Sequence, residues 1–192
     1  MAGAMGIGRF VYTPILPVMA TALDLSKAEA GLIASANFLG YLAGALLAAI
    51  GTLPGPRRRW LLGALVVGGA TTVAMGGTAS MAAFLGLRFI GGGASAFVLV
   101  LASALVLEHL ALARRPQLSA VHFAGVGLGI AVSAVTVSAG LAAGADWRQL
   151  WFSVGAIVLA ACLAVALLLP PEPQPVARPA PAGRADRGHN LT

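Results

Sequence analysis

Charged residues are scarce in this sequence. They make up only 9% of its 192 residues, far below the roughly 25% of a typical soluble domain. In contrast, 59% of the residues are hydrophobic, and the mean hydropathy is +0.91. The composition excludes an ordinary soluble domain and predicts an integral membrane protein.

Cysteine is nearly absent as well. Cys162 is the single cysteine and lies inside an apolar run, so neither a disulfide framework nor a cysteine metal site can form. The three histidines, His109, His122 and His189, lack the spacing of metal ligands. We therefore expect no metal and no cofactor.

Long apolar runs dominate the chain. A helix needs about 20 residues, at about 1.5 Å rise each, to cross a bilayer. Six runs of this length occur near residues 3–23, 28–50, 60–78, 80–107, 119–141 and 149–169. None shows the two-residue alternation of a membrane strand. The sequence therefore predicts an all-α integral membrane protein with six transmembrane helices.

Basic residues are concentrated in alternate loops. The connections after the first, third and fifth runs hold only Lys27 and Arg148. Eight basic residues follow the second, fourth and sixth runs: Arg57, Arg58, Arg59, Arg114, Arg115, Arg178, Arg184 and Arg187. Because cytoplasmic loops are enriched in basic residues, we expect both termini in the cytoplasm and the chain in a cell (inner) membrane. No basic patch carries interleaved base-stacking aromatics, so no nucleic-acid partner is expected.

The two ends of the chain differ from the apolar middle. Residues 20–22 resemble a signal-peptide cleavage site, but Arg9, Pro14 and Pro17 interrupt the run before them, so we expect the first helix to be retained. Residues 171–192 are rich in Pro, Ala and Arg and cannot bury enough apolar surface to order themselves. We therefore divide the chain into a transmembrane bundle over 1–170 and a disordered cytoplasmic tail, or truncated central linker, over 171–192.

Glycines recur at a spacing of four residues in two of the runs. Gly40 and Gly44 lie in the second run, and Gly125 and Gly129 lie in the fifth. Small residues at this spacing let helix backbones approach each other closely in a membrane. Both helices are expected to pack tightly against other helices.

Three stretches resemble a known family: "GIGRFVYTPILPVM", "AGLIASANFLGYLAGALLAA" and "LRFIGGGASAFVLV". They are similar to the N-terminal half of a major facilitator superfamily (MFS) transporter, in its YbfB/YjiJ-like branch. The resemblance implies one six-helix half, built from two inverted three-helix repeats. It also implies a secondary transporter of a small solute that works by alternating access, and not an enzyme.

The match has two departures from the family pattern. Arg88 and Gly92 match the family's fourth helix, but the loop "GTLPGPRRR" keeps Gly51 and three arginines without the family's aspartate. The resemblance therefore does not carry over a charge-pair gate, and we expect Glu108 to be solvated. Only five residues precede Gly6, so the first helix is expected to be short at its cytoplasmic end.

Polar residues inside the first, second and fourth runs are candidates for a substrate or coupling path: Arg9, Arg88, Tyr12, Thr13, Asn37 and Tyr41. The two arginines lie near the midplane, at depths that differ by about 6 Å. Each costs at least about 2.5–3.5 kcal/mol there, and no Asp or Glu lies deep inside a run. We expect them to bind an anionic solute, or an acidic residue of a missing half. The alternative is that each guanidinium donates to backbone carbonyls of a neighbouring helix.

A single half is expected to need a partner. Either the chain is an incomplete product, or two copies assemble as a homodimer, and by resemblance the glycine stripes would face that second half. Besides this partner, we expect a small-molecule solute and the lipid bilayer to contact the chain.

Two other functions are open to consideration. Gly93-Ala94-Ser95-Ala96 is similar to the serine motif of rhomboid proteases. A serine nucleophile needs a base within hydrogen-bond reach, however, and the sixth run has no histidine. A six-helix interaction or scaffold protein, or a non-transporting remnant, stays as the alternative. Dependence of solute flux on an ion gradient would distinguish it from a transporter.

Overall fold

The computed structural model describes residues 1–50 and 53–168, and within them it contains helices and no strand. A π-helical segment is followed by six α-helices, with a short 3₁₀ turn before the fifth. Their bounds are Ala2–Arg9 for the π-helix, then α1 Tyr12–Leu23, α2 Lys27–Ala49, α3 Arg57–Gly76, α4 Met81–Leu112, the 3₁₀ turn Pro116–Leu118, α5 Ser119–Ala142 and α6 Trp147–Leu168.

The prediction of an all-helical protein with six transmembrane helices is confirmed. Among the described residues, six helical stretches are long and apolar enough to cross a membrane, and the first joins the π-helix to α1 over Ala2–Leu23. The predicted tail over 171–192 and the loop residue Gly51 lie outside the described residues.

The first span is not a regular α-helix, which the sequence did not predict. At its start the Gly6 N–H donates to the Met1 carbonyl, five residues earlier, over 3.5 Å, which is the pattern of a π-helix. Pro14 has no N–H to donate, and the Phe10 carbonyl accepts instead from Thr13 N over 3.1 Å. The winding of the chain thus changes near residue 10.

The start of α2 is fixed by a capping box. The Ser26 hydroxyl accepts from Glu29 N over 3.2 Å, and the Glu29 carboxylate accepts from Ser26 N over 2.9 Å. These bonds satisfy two of the donors that a helix start leaves free. The Tyr12 hydroxyl also donates to the Ala30 carbonyl over 3.0 Å, which joins α1 to the first turn of α2.

Helices α2 and α4 are in direct backbone contact through glycines. A Cβ added at Gly40 would collide with the carbonyl of Phe89, and one added at Gly44 would lie 2.5 Å from the Gly93 carbonyl oxygen. The contact is reciprocal, because a Cβ at Gly92 would collide with the Asn37 carbonyl. At 32 residues, α4 is about 48 Å long and extends beyond a bilayer core of about 30 Å.

Helix α5 uses its glycines in the same way, against the π-helix. A Cβ at Gly129 would lie 2.8 Å from the Cα of Gly6, and one at Gly125 would lie 3.4 Å from the Met1 Cβ. Both glycine stripes pack closely against another segment of the same chain. The expectation that they face a second half stays a prediction.

Candidate functional site

The Arg88 side chain crosses from α4 to the backbone of the first span. Its Nη2 donates to the Arg9 carbonyl over 3.0 Å, and its Nη1 donates to the Gly8 carbonyl over 3.3 Å. The guanidinium carbon lies 5.2 Å from the centre of the Tyr12 ring. Only 6% of the residue is exposed, so Arg88 is enclosed between α4 and the first span.

The irregular winding of the first span explains why the Arg9 carbonyl needs a donor. In a regular α-helix the Arg9 carbonyl would accept from Thr13 N. Here Thr13 N donates to Phe10 instead, and Arg88 supplies a replacement donor. Burying a carbonyl without a partner in a membrane costs several kcal/mol, so the guanidinium stabilises the irregular segment.

The space beside Arg88 is too small for a solute. The cavity there has a volume of about 10 Å³, which is roughly what one water molecule requires. Small and apolar residues line much of it, together with Thr71 and Thr72, whose hydroxyls donate to the Gly68 carbonyl over 3.0 and 2.7 Å. A carboxylate of metabolite size cannot reach Arg88 in this structure.

Arg9 has a different environment, made of aromatic rings. Its guanidinium carbon lies 4.0 Å from the centre of the Tyr41 ring, 5.1 Å from that of Phe38 and 5.7 Å from that of Phe10. Such cation–π contacts contribute about 0.5–1 kcal/mol each at exposed sites. In the part of the chain that the structure describes, no acceptor binds the guanidinium, and its Nε is buried without a partner.

The surroundings of Arg9 form an open face of the first and second helices. Phe10 is 37% exposed and Phe38 is 58% exposed, and Thr13 is exposed one turn along from Arg9. Tyr41 is half-buried beneath the guanidinium. We call Arg9, Phe10, Thr13, Phe38 and Tyr41 the Arg9 face.

The six residues predicted for the path therefore separate into two groups. Arg9, Thr13 and Tyr41 belong to the Arg9 face. The other three are buried: Arg88, Tyr12 and Asn37. The sequence placed both arginines at a similar depth, but it could not show that they point into different surroundings.

A comparison with protein families decides the class of this chain. The family described as "Uncharacterised MFS-type transporter YbfB" matches residues 1–190. The chain belongs to this family. Together with its six membrane-length helices, this makes it a multi-pass membrane protein of the MFS transporters. Neither a curated protein nor a solved structure matches the chain.

In this MFS chain the loop between α2 and α3 has no aspartate. The sequence therefore did not predict an ion pair at this end of the bundle. Arg57, at the start of α3, donates to the Glu108 carboxylate of α4 over 3.3 Å. The side chains are 55% and 59% exposed, so Glu108 is accessible to solvent as predicted but is also paired. The acidic partner of Arg57 therefore lies on α4.

The remaining candidate residues have structural positions in this MFS fold. Ser95, in the stretch similar to a protease motif, is buried and donates to the Gly92 carbonyl one turn earlier over 2.8 Å. His122 contacts the Ser103 hydroxyl through Nε2 over 3.3 Å, where α4 and α5 meet. Among the described residues no group of three His, Cys, Asp or Glu could hold a metal.

Proposed function

We propose that this chain forms one half of a secondary active transporter that moves a small anionic solute by alternating access. The position of Arg9 is the observation that supports this proposal. Its guanidinium rests on aromatic rings at the Arg9 face and has no acceptor among the described residues. A charge held inside a membrane needs a partner, and at this open face the partner can be a solute.

The chemistry of the Arg9 face suits a carboxylate. The Tyr41 ring lies 4.0 Å from the guanidinium carbon, and neither Nη donor of Arg9 has an acceptor among the described residues. These donors match the two oxygens of a carboxylate. Thr13 adds a hydroxyl donor on the same face. Arg88 acts as a positioning residue, because it holds the Arg9 backbone.

A second six-helix unit completes the cavity in this proposal, either as the other half of a longer chain or as a second copy. The exposed rings of Phe10 and Phe38 beside a cation support this arrangement, since a lone guanidinium facing lipid would be costly. The distribution of eight basic residues against two in alternate connections supports cytoplasmic termini in an inner membrane.

The first test measures carboxylate binding. Purified protein is heated with a thiol-reactive dye that reports exposure of Cys162, which is 6% exposed in the folded state. A small mono- or dicarboxylate that binds the folded protein raises the unfolding temperature. We expect Arg9→Gln to abolish this shift and Arg9→Lys to keep part of it, because lysine retains the charge but lacks the planar fork.

The second test measures transport of a carboxylate identified in this way. Proteoliposomes should accumulate it only under an imposed proton or ion gradient, and Arg9→Gln should lose this accumulation. Thr21→Ala is the matched control, because Thr21 is exposed on the same span and donates only to the nearby Pro17 carbonyl. If carboxylate accumulation is instead independent of the gradient and equal for the unmodified protein and Arg9→Gln, an interaction or scaffold role would describe the chain better.

A further inference from the structure

An apolar groove runs along the outer surface between α3 and α4. Its volume is about 630 Å³. Helix α3 contributes Trp60, Gly63, Ala64 and Val67, and α4 contributes Ile90, Gly93, Ala94 and Phe97; Pro54 and Arg59 complete the lining. Val67 and Ile90 are 41% and 50% exposed, so the groove faces the bilayer and not the protein core.

Two contacts hold the Trp60 side chain, which forms one wall of the groove. The Trp60 ring stacks on Phe97, with 6.1 Å between centroids and 21° between planes. The indole Nε1 donates to the Pro54 carbonyl over 3.0 Å. Because a Cβ at Gly63 would meet no atom within 4 Å, the floor beside Trp60 is empty space. The groove is therefore preformed.

Arg59 is the available cation at the mouth of this groove. Its two neighbours in the arginine cluster are engaged: Arg57 with Glu108, and Arg58 with the Ala166 carbonyl over 2.9 Å. Arg59 is exposed, and its guanidinium has no hydrogen-bond or ion-pair partner among residues 1–50 and 53–168. Tryptophan and arginine at the end of a span are typical of the membrane–water interface, which is the depth of lipid phosphates.

We propose that this groove binds an anionic phospholipid, with an acyl chain along α3 and α4 and the headgroup phosphate on Arg59. An amphiphile with one anionic end and a hydrocarbon body matches a groove with apolar walls and, at its mouth, a guanidinium that has no partner among the described residues. Basic sites between membrane helices on the cytoplasmic side commonly hold anionic headgroups. This site is separate from the Arg9 face and does not depend on the proposed transport function.

A second groove provides an internal comparison. It lies between α2 and α4, has a volume of about 530 Å³, and carries no ionisable side chain; its lining is Leu32, Ser35, Ala36, Leu39, Leu85, Gly86, Phe89 and Ile90. A Cβ at Gly86, as at Gly63, would meet no atom within 4 Å. A larger side chain at Gly63 would fill the first groove, and one at Gly86 would fill the second. The two substitutions therefore form a matched pair.

The test is native mass spectrometry of the purified full chain with phosphatidylglycerol or phosphatidylcholine. We expect the unmodified protein to retain phosphatidylglycerol about fivefold better, since one arginine near the surface contributes about 1 kcal/mol. Arg59→Gln should remove this preference and Arg59→Lys should keep it. Gly63→Leu should reduce retention of both lipids, whereas Gly86→Leu should leave the preference unchanged.

Three results would overturn the proposal. The first is equal retention of the two lipids by the unmodified protein, and the second is an unchanged preference in Arg59→Gln. The third is that Gly63→Leu keeps phosphatidylglycerol but loses association with a second six-helix unit, because the occupant would then be a helix. The unfolding temperature of each variant, read at Cys162, verifies that it is folded.

Discussion

Arg88 of α4 donates to two consecutive backbone carbonyls of the first span, those of Gly8 and Arg9. The acceptors are main-chain atoms, so this arginine needs no acidic side chain to be tolerated in the membrane. The neighbouring Arg9 guanidinium contacts three aromatic rings and binds no acceptor in the described part of the chain. The two arginines therefore differ in what they can do.

Replacing each arginine with glutamine should separate stability from binding. Arg88→Gln loses two charge-assisted hydrogen bonds, and we expect it to lower the free energy of unfolding by about 3 kcal/mol. Arg9→Gln loses three cation–π contacts of about 0.5–1 kcal/mol each, and we expect it to cost about 1.5 kcal/mol, the lower end of their sum. Unfolding in detergent, followed through Cys162, measures both. Equal losses in the two variants would contradict the different roles assigned here.

The contact between α2 and α4 predicts an unusual sensitivity to a single methyl group. Gly40→Ala would push its Cβ into the Phe89 backbone, and overpacking of this kind costs about 1–3 kcal/mol. Gly31→Ala on the same helix meets nothing within 4 Å and should instead be neutral or stabilising by about 0.5–1 kcal/mol. The same unfolding assay compares the two variants, and the opposite order would be inconsistent with this packing.

The contact between α5 and the π-helix predicts a second pair of outcomes. Gly129→Ala would place a Cβ 2.8 Å from the Gly6 Cα and should separate α5 from the first span. Gly127→Ala has no neighbour within 4 Å and serves as its control. Hydrogen exchange of residues 2–9 should rise in the first variant and stay unchanged in the second. Unchanged exchange in both variants would argue against the close contact between these segments.

The ion pair of Arg57 and Glu108 should contribute little to stability. Both side chains are more than half exposed, and exposed pairs typically contribute at most about 1 kcal/mol. In a double-mutant cycle with Arg57→Gln and Glu108→Gln, we expect a coupling energy below that value, falling further in high salt. A much larger, salt-independent coupling energy would show that the pair is shielded from solvent.

The spans themselves could be predicted from the sequence, with errors at the ends that have a physical cause. The second span was predicted at 28–50 and is Lys27–Ala49. The fourth was predicted to end at 107, but α4 continues to Leu112. Hydropathy falls at Glu108 and His109, whereas the helix continues because no glycine or proline interrupts it before Pro116.

The arrangement of the candidate site could be predicted only in part. A charged residue in an apolar run is visible in the sequence, so Arg9 and Arg88 were both found. Every residue has a backbone carbonyl, so the sequence does not show which carbonyls accept from Arg88. For the same reason the sequence indicated a packing face at Gly40 but not the backbone that packs against it. The aromatic rings around Arg9 come from two helices, so their meeting could not be predicted either.

The glycine contacts have a mechanical consequence for the first span. Gly40 touches the backbone of Phe89, the residue next to Arg88, and Arg88 grips the chain at Gly8 and Arg9. At the first of these contacts the two backbones meet without a side chain between them, so we expect α2 and α4 to move together. A shift of α2 would therefore move Arg88 on α4 and, through its two hydrogen bonds, the backbone segment that carries Arg9.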